Sequence, residues 1–219
     1  MFSNGALAGT IISNNLPSNT WIVNIDGRND GAAGYDGDQS SWFRPFASDG
    51  NLLALTLPAG TYRFSVIDSA DAQAQFPSLT SGQLATIGGA WTYNSPFTTS
   101  YFVFDSSAAN DPNQPQLFAG ANQGAVNGNY YFYTAEDAYQ ATKAAGQLDQ
   151  LFTGPGGRIH GVEAHSYTLT STQTLLFVVP DSGLSDNGGT VSVAVQAVPE
   201  PATFGALGLG LIALRRRRR

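Results

Sequence analysis

This 219-residue chain predicts an all-β fold, an antiparallel β-sandwich of jelly-roll-like form. Three observations carry that expectation. Short stretches of alternating apolar residues recur along the chain, and Gly, Asn, Asp and Pro turns separate them. No internal repeat organises them into a solenoid or propeller. An immunoglobulin-like arrangement of the same strands stays open as the alternative.

The elements follow in order. Thr20–Ile25 (TWIVNI) alternates and ends at Asp26-Gly27, with Trp21 in phase with Val23 and Ile25 and so read as core. Leu52–Leu57 (LLALTL) meets Pro58-Ala59-Gly60, and Thr61–Ile67 (TYRFSVI) follows. The short linker predicts a hairpin whose second strand turns Tyr62, Phe64 and Val66 one way and Arg63, Ser65 and Ile67 the other. Tyr101–Phe104 and Tyr130–Tyr133 are aromatic strand candidates. Tyr167–Leu169 and Thr174–Val179 form a further possible pair, and Thr190–Val195 alternates its valines inward to close the domain. Helix is expected only over Thr134–Leu151, where Thr134 and Asp137 predict a capping box and Gly146 an end or interruption.

Composition bounds the function. Residues 1–197 are long enough for one domain with a substantial core, and 198–219 form a separate tail. The formal charge of −6 hides an asymmetry. Outside five terminal arginines the basic residues are Arg28, Arg44, Arg63, Lys143 and Arg158, five against sixteen acids, a balance of −11. That field argues against a nucleic-acid partner, whose phosphates need positive charge. The absence of cysteine excludes disulfides, thiol catalysis and cysteine–zinc sites.

Two polar stretches are candidate binding sites. Asp26–Asp38 places Asp26, Asn29, Asp30, Asp36 and Asp38 among glycines, a set of oxygens that could partly satisfy the six to eight ligands of Ca2+. The EF-hand spacing fails, because Arg28 falls at position 3 and Gly37 at position 12. A solvated Asp/Gly turn explains the same residues. The second stretch, Asp181–Thr190, links two strong strands, so Asp181, Asp186 and Asn187 are expected to project from a rigid rim. With the valine strand behind it, this stretch resembles the C-terminal segment of calcium-dependent galactose-binding lectins and related β-sandwich carbohydrate-binding modules. The resemblance implies calcium ligation or glycan contact through Asp186 and Asn187, and Asp181 on the same rim is a further candidate metal ligand. A turn built for positive φ is the competing explanation. Trp42, just after the first stretch, is a candidate stacking platform for a sugar ring, and large aromatic rings more generally belong to cores.

Catalytic signals are thin. His160, Glu163 and His165 (HGVEAH) match neither zinc-protease spacing, and no Gly-x-Ser-x-Gly motif occurs. Paired carboxylates of a glycoside hydrolase have no sequence spacing that identifies them in a sheet protein.

The tail carries the most specific signal. Val198-Pro199-Glu200-Pro201 leads into the apolar segment Ala202–Leu214, and Arg215, Arg216, Arg217, Arg218 and Arg219 close it. An apolar plug with a cationic stop suits retention at a membrane with the arginines on the cytoplasmic side. Thirteen helical residues reach only about 20 Å against a hydrocarbon core of about 30 Å, so the association is read as transient. These three elements in this order resemble the PEP-CTERM sorting signal of Gram-negative bacteria. The resemblance implies a short transmembrane-like C-terminal helix and recognition of Pro199, Glu200 and Pro201 by an exosortase-type membrane enzyme. It also implies passage through the inner membrane to the cell surface or extracellular matrix. The expected partner there is extracellular polysaccharide, bound or packed by a non-catalytic module of exopolysaccharide or biofilm. A polysaccharide-acting glycoside hydrolase or lyase is the alternative. Met1–Thr10 lacks the basic and apolar regions of a signal peptide, so the true start is expected upstream.

Overall fold

Alternation of apolar side chains is realised in the strands of an all-β core built from several antiparallel sheets. A computed structural model describes residues 9–34, 43–93, 97–109, 117–121, 132–153, 162–181 and 184–199. The chain begins with β1 (Thr10–Ile12), β2 (Thr20–Asp26), β3 (Asp30–Gly34), β4 (Phe43–Ala47), β5 (Ala54–Leu57) and β6 (Gly60–Val66). Two helices follow, α1 (Ser69–Gln75) and α2 (Ser81–Leu84), then β7 (Gly89–Tyr93), β8 (Phe97–Thr98), β9 (Tyr101–Asp105) and β10 (Phe118–Gly120). The last part contains α3 (Ala135–Ala144), β11 (Leu151–Thr153), β12 (Val162–Ala164), β13 (Tyr167–Leu169), β14 (Gln173–Val178) and β15 (Asn187–Ala197).

The larger sheet is organised by β15. It lies between β2 and β6, with β1 and β13 outside them, and its first residues also pair with β7, which carries β8. The second sheet runs β12-β11-β10-β9-β14-β5, and β3 and β4 pair separately. Val191, Val193 and Val195 of β15, Phe64 of β6, Val103 of β9 and Phe177 of β14 belong to one buried cluster fed by both sheets. The inward valines of Thr190–Val195 are thus found as expected.

Each sheet also has a covered outer face. Ile12, Ile22 and Ala194 of the larger sheet and Ile67 just after β6 pack with Ala72, Phe76, Leu79 and Ile87 of the α1–α2 region. On the smaller sheet Phe102, Phe104, Leu176 and Val178 pack with Ala32 and Ala108. Double coverage explains why Tyr101–Phe104 has no polar alternation: Tyr101 and Val103 face one cluster, Phe102 and Phe104 the other. Two buried polar side chains of the larger sheet, Asn24 and Ser192, are paired with each other. Asn24 donates to Thr10 and Thr86 and accepts from the Ser192 hydroxyl at 2.6 Å, while Ser192 accepts from the Gly88 N–H.

Several expectations are corrected. Leu52–Leu57 and Thr61–Ile67 do not form a hairpin. β5 pairs with β14 in one sheet and β6 with β13 in the other, so Pro58-Ala59-Gly60 is a corner between sheets. The second expected pair divides in the same way, β13 going to the larger sheet and β14 to the smaller. Helix is not confined to Thr134–Leu151. Asp68 caps α1 by accepting from the Asp71 N–H, and Thr80 with Gln83 forms a full capping box on α2. α3 ends at Ala144, two residues before Gly146, which takes φ +70°, and Leu151 enters a strand. Its Thr134 accepts from the Asp137 N–H and donates its hydroxyl to the Asp137 carboxylate rather than closing a box. Of Tyr130–Tyr133, Phe132 makes an isolated bridge to Phe97, Tyr133 is exposed, and the first two residues lie outside the described residues.

The expected transmembrane helix is also corrected. No helix among the described residues is long and apolar enough to cross a membrane. The segment Ala202–Leu214 lies outside the described residues, and its thirteen positions fall short of the roughly 20 that a span requires.

Candidate functional site

The two acidic stretches, far apart in sequence, converge on one rim at the start of β15. The Arg28 guanidinium donates to the Asn187 carbonyl at 2.5 Å, and the Gly27 N–H to the Gly189 carbonyl at 3.1 Å. Val179 donates to the Asp30 carbonyl and Ala32 to that of Asp181. The convergence follows from the pairing of β2 with β15, which sets Asp26 opposite Thr190.

Within the rim Asp30 is fully buried at the head of β3, so it is not a loop residue as expected. One carboxylate oxygen accepts from the Asp26 N–H at 3.0 Å and the other from the Asn29 side-chain amide at 3.2 Å. Burial pushes its pKa up to about 7, with the Asp26 and Asp49 carboxylates adding to the rise and the hydrogen bonds opposing it. Half-burial raises Asp26 as well. Asp49 is held below the usual range, chiefly by the Asn51 N–H. Both oxygens of Asp30 are thus engaged by protein donors.

The other expected site residues are dispersed. Asp186 is exposed and Asp181 half-buried. Asn187 does not project; it is buried, and its side-chain amide has no hydrogen-bond partner among the described residues. Asp36, Asp38 and Trp42 lie outside the described residues. Among the described residues no three His, Cys, Asp or Glu side chains are grouped to hold a metal ion. Trp91 is core, donating its indole N–H to the Ser100 carbonyl, and Trp21 is partly buried against Tyr62. His165 meets Asp149 at 3.2 Å, and Asp149 also pairs with Arg63; His160 lies outside the described residues.

Sequence reading missed one cluster altogether. Between α1 and α3, over the outer face of β6 and β15, lies a cavity of about 400 Å3 lined by Ser65, Asp71, Ala74, Gln75, Tyr139 and Lys143 among others. The Asp71 carboxylate accepts the Tyr139 hydroxyl at 2.7 Å and the Lys143 ammonium at 2.5 Å. These two bonds lower the Asp71 pKa, and burial raises that of Tyr139. Lys143, the only lysine in the chain, also sits 5.8 Å from the Tyr139 ring centre. That uniqueness was the available sequence signal.

At the other end of β15 two backbone hydrogen bonds fasten the last described residues. The Ala197 N–H donates to the Asn19 carbonyl at 3.0 Å and the Val198 N–H to that of Thr61 at 2.8 Å. Val198 is already 41% exposed, and Pro199 is exposed after it. Glu200, Pro201 and Arg215–Arg219 lie outside the described residues. The sorting segment therefore starts where the central strand stops, with no linker between them.

Comparison with curated proteins and with solved structures finds no match. Comparison with protein families matches residues 197–219 to the PEP-CTERM protein-sorting motif. The chain thus carries an exosortase-type sorting motif that marks it as an exported protein, associated with the membrane during sorting before it reaches the exterior.

Proposed function

We propose that this chain is a non-catalytic module of the extracellular polysaccharide or biofilm, which binds glycan or packs as a structural component once sorted. The observation that carries the reading is the geometry of β15. The strand ends at the sorting motif and begins at the acidic rim, and its eleven residues separate the two by roughly 35 Å. While the tail is held at the membrane, the rim points away from the anionic headgroups and toward the exterior. The larger and smaller sheets, sharing one buried cluster, are the two halves of a jelly-roll-like sandwich in this reading, the architecture used by many carbohydrate-binding modules.

Intact mass and both termini, measured after separating cytoplasm, membranes and medium, test the export half. An external form that has lost residues near Pro199–Pro201 supports it, and a cytoplasmic form ending in Arg219 defeats it. Retention on the producer's own polysaccharide tests the binding half. Saturable retention weakened by Asp186→Ala assigns glycan contact to the rim, and weakening by Trp42→Ala assigns a stacking role to that ring. No saturable retention, with loss of biofilm cohesion on deletion, leaves the structural role.

A further inference from the structure

We propose that the cleft between α1 and α3 is a binding site for a neutral hexopyranose unit, formed by Asp71, Lys143 and Gln75 over a floor of small side chains. The inference rests on the glycan-binding form of the function above and adds to it a place and a ligand class.

Size is the first argument. About 400 Å3 falls within the range of small-ligand pockets, roughly 300–1,000 Å3. Ser65 of β6 and Ala194 of β15 leave that space open on a sheet face that is elsewhere filled by Phe76 and Leu79.

Chemistry is the second. A sugar hydroxyl both donates and accepts, so adjacent hydroxyls on a ring are matched by a fixed acceptor beside a fixed donor. The Asp71–Lys143 pair supplies both. The Tyr139 hydroxyl and the Lys143 ammonium converge on one Asp71 oxygen and hold the carboxylate in place. Lys143 keeps two further protons to give, and the exposed Gln75 amide can donate and accept. Ile67, Val66 and Leu148 add apolar wall for the C–H face of a ring.

Charge is the third. Asp71 and Lys143 cancel, while Asp68 and Glu136 also act on Lys143, so the neighbourhood is mildly acidic. An anionic sugar is repelled there and a neutral one is not.

The test is calorimetric titration of the full chain with neutral gluco-, galacto- and manno-oligosaccharides, and with oligogalacturonate as the anionic comparison. The expected result is saturable binding of at least one neutral series, weakened tenfold or more by Lys143→Met and by Ala74→Leu. The second variant fills the cleft without removing a hydrogen bond, so its unchanged melting temperature separates lost binding from lost fold. Neutral binding that neither variant weakens overturns the cleft and leaves the glycan-binding reading in place. Tighter binding of oligogalacturonate overturns the ligand class. No saturable binding of any sugar removes both the cleft and the glycan-binding reading.

Discussion

Tyr62 donates its hydroxyl to the Pro58 carbonyl at 3.0 Å, bracing the corner at which the chain leaves one sheet for the other. The ring is buried in the shared core and tilts against Trp21. Tyr62→Phe removes that bond and keeps the ring, so a loss of about 1 kcal/mol is expected. In a chain of this size that corresponds to a fall in Tm of roughly 2–4 °C. Thermal melts of the two proteins check it.

Asp30 gives the fold a pH dependence opposite to that of most carboxylates. Its pKa rises from 3.8 to about 7 on folding, so the folded protein holds a proton that the unfolded chain releases. Stability is greatest below pH 4 as far as this group is concerned, and it falls as pH rises from about 4 to 7. The full span is on the order of 4 kcal/mol. Asp49 and Asp71, whose values are lowered, act in the other direction but below pH 4. Melts between pH 4.5 and 8 should show the decline, and Asp30→Asn should flatten it.

Gly120 lies against a ring that cannot retreat. A Cβ added there would overlap the ring of Tyr101, which is fully buried. Gly120→Ala is expected to cost about 3 kcal/mol, the upper part of the usual overpacking range. Denaturant unfolding should show a lower midpoint at unchanged slope.

Removal of the sorting tail should leave the fold whole, because β15 is complete at Ala197 and the Val198 N–H already donates to the Thr61 carbonyl. A chain ending at Pro199 is expected to melt within about 3 °C of the full chain, a change worth roughly 1 kcal/mol or less. A chain ending at Gly189 loses the strand shared by β2, β6 and β7, and should show no cooperative transition.

Local periodicity was legible in the sequence, whereas the sheet to which each strand belongs was not. Tyr62, Phe64 and Val66 face the core as their alternation requires. A three-residue connection looks the same whether it closes a hairpin or turns a corner, because the difference lies in the distant partners β13 and β14. α1 is not legible in the sequence because its seven residues, SADAQAQ, carry no apolar stripe and bury only Ala72. Thr80 and Gln83 did carry a readable capping signal. The acidic stretches were visible one by one, but their meeting depends on the pairing of β2 with β15. Asn187 looks like a rim residue in the sequence because Asp-Asn-Gly-Gly favours a turn, whereas the strand already begins there.

The position of β15 bears on when the protein can fold. A chain that crosses a membrane N-terminus first delivers its last strand last, and here that strand lies at the centre of the larger sheet. β2, β6 and β7 therefore wait without their common neighbour until nearly the whole body has emerged. Long-range pairing of this kind is slow. The sorting segment follows directly behind β15, so a halt at the membrane would hold the newly completed sheet in place while it closes, before the enzyme lets it go.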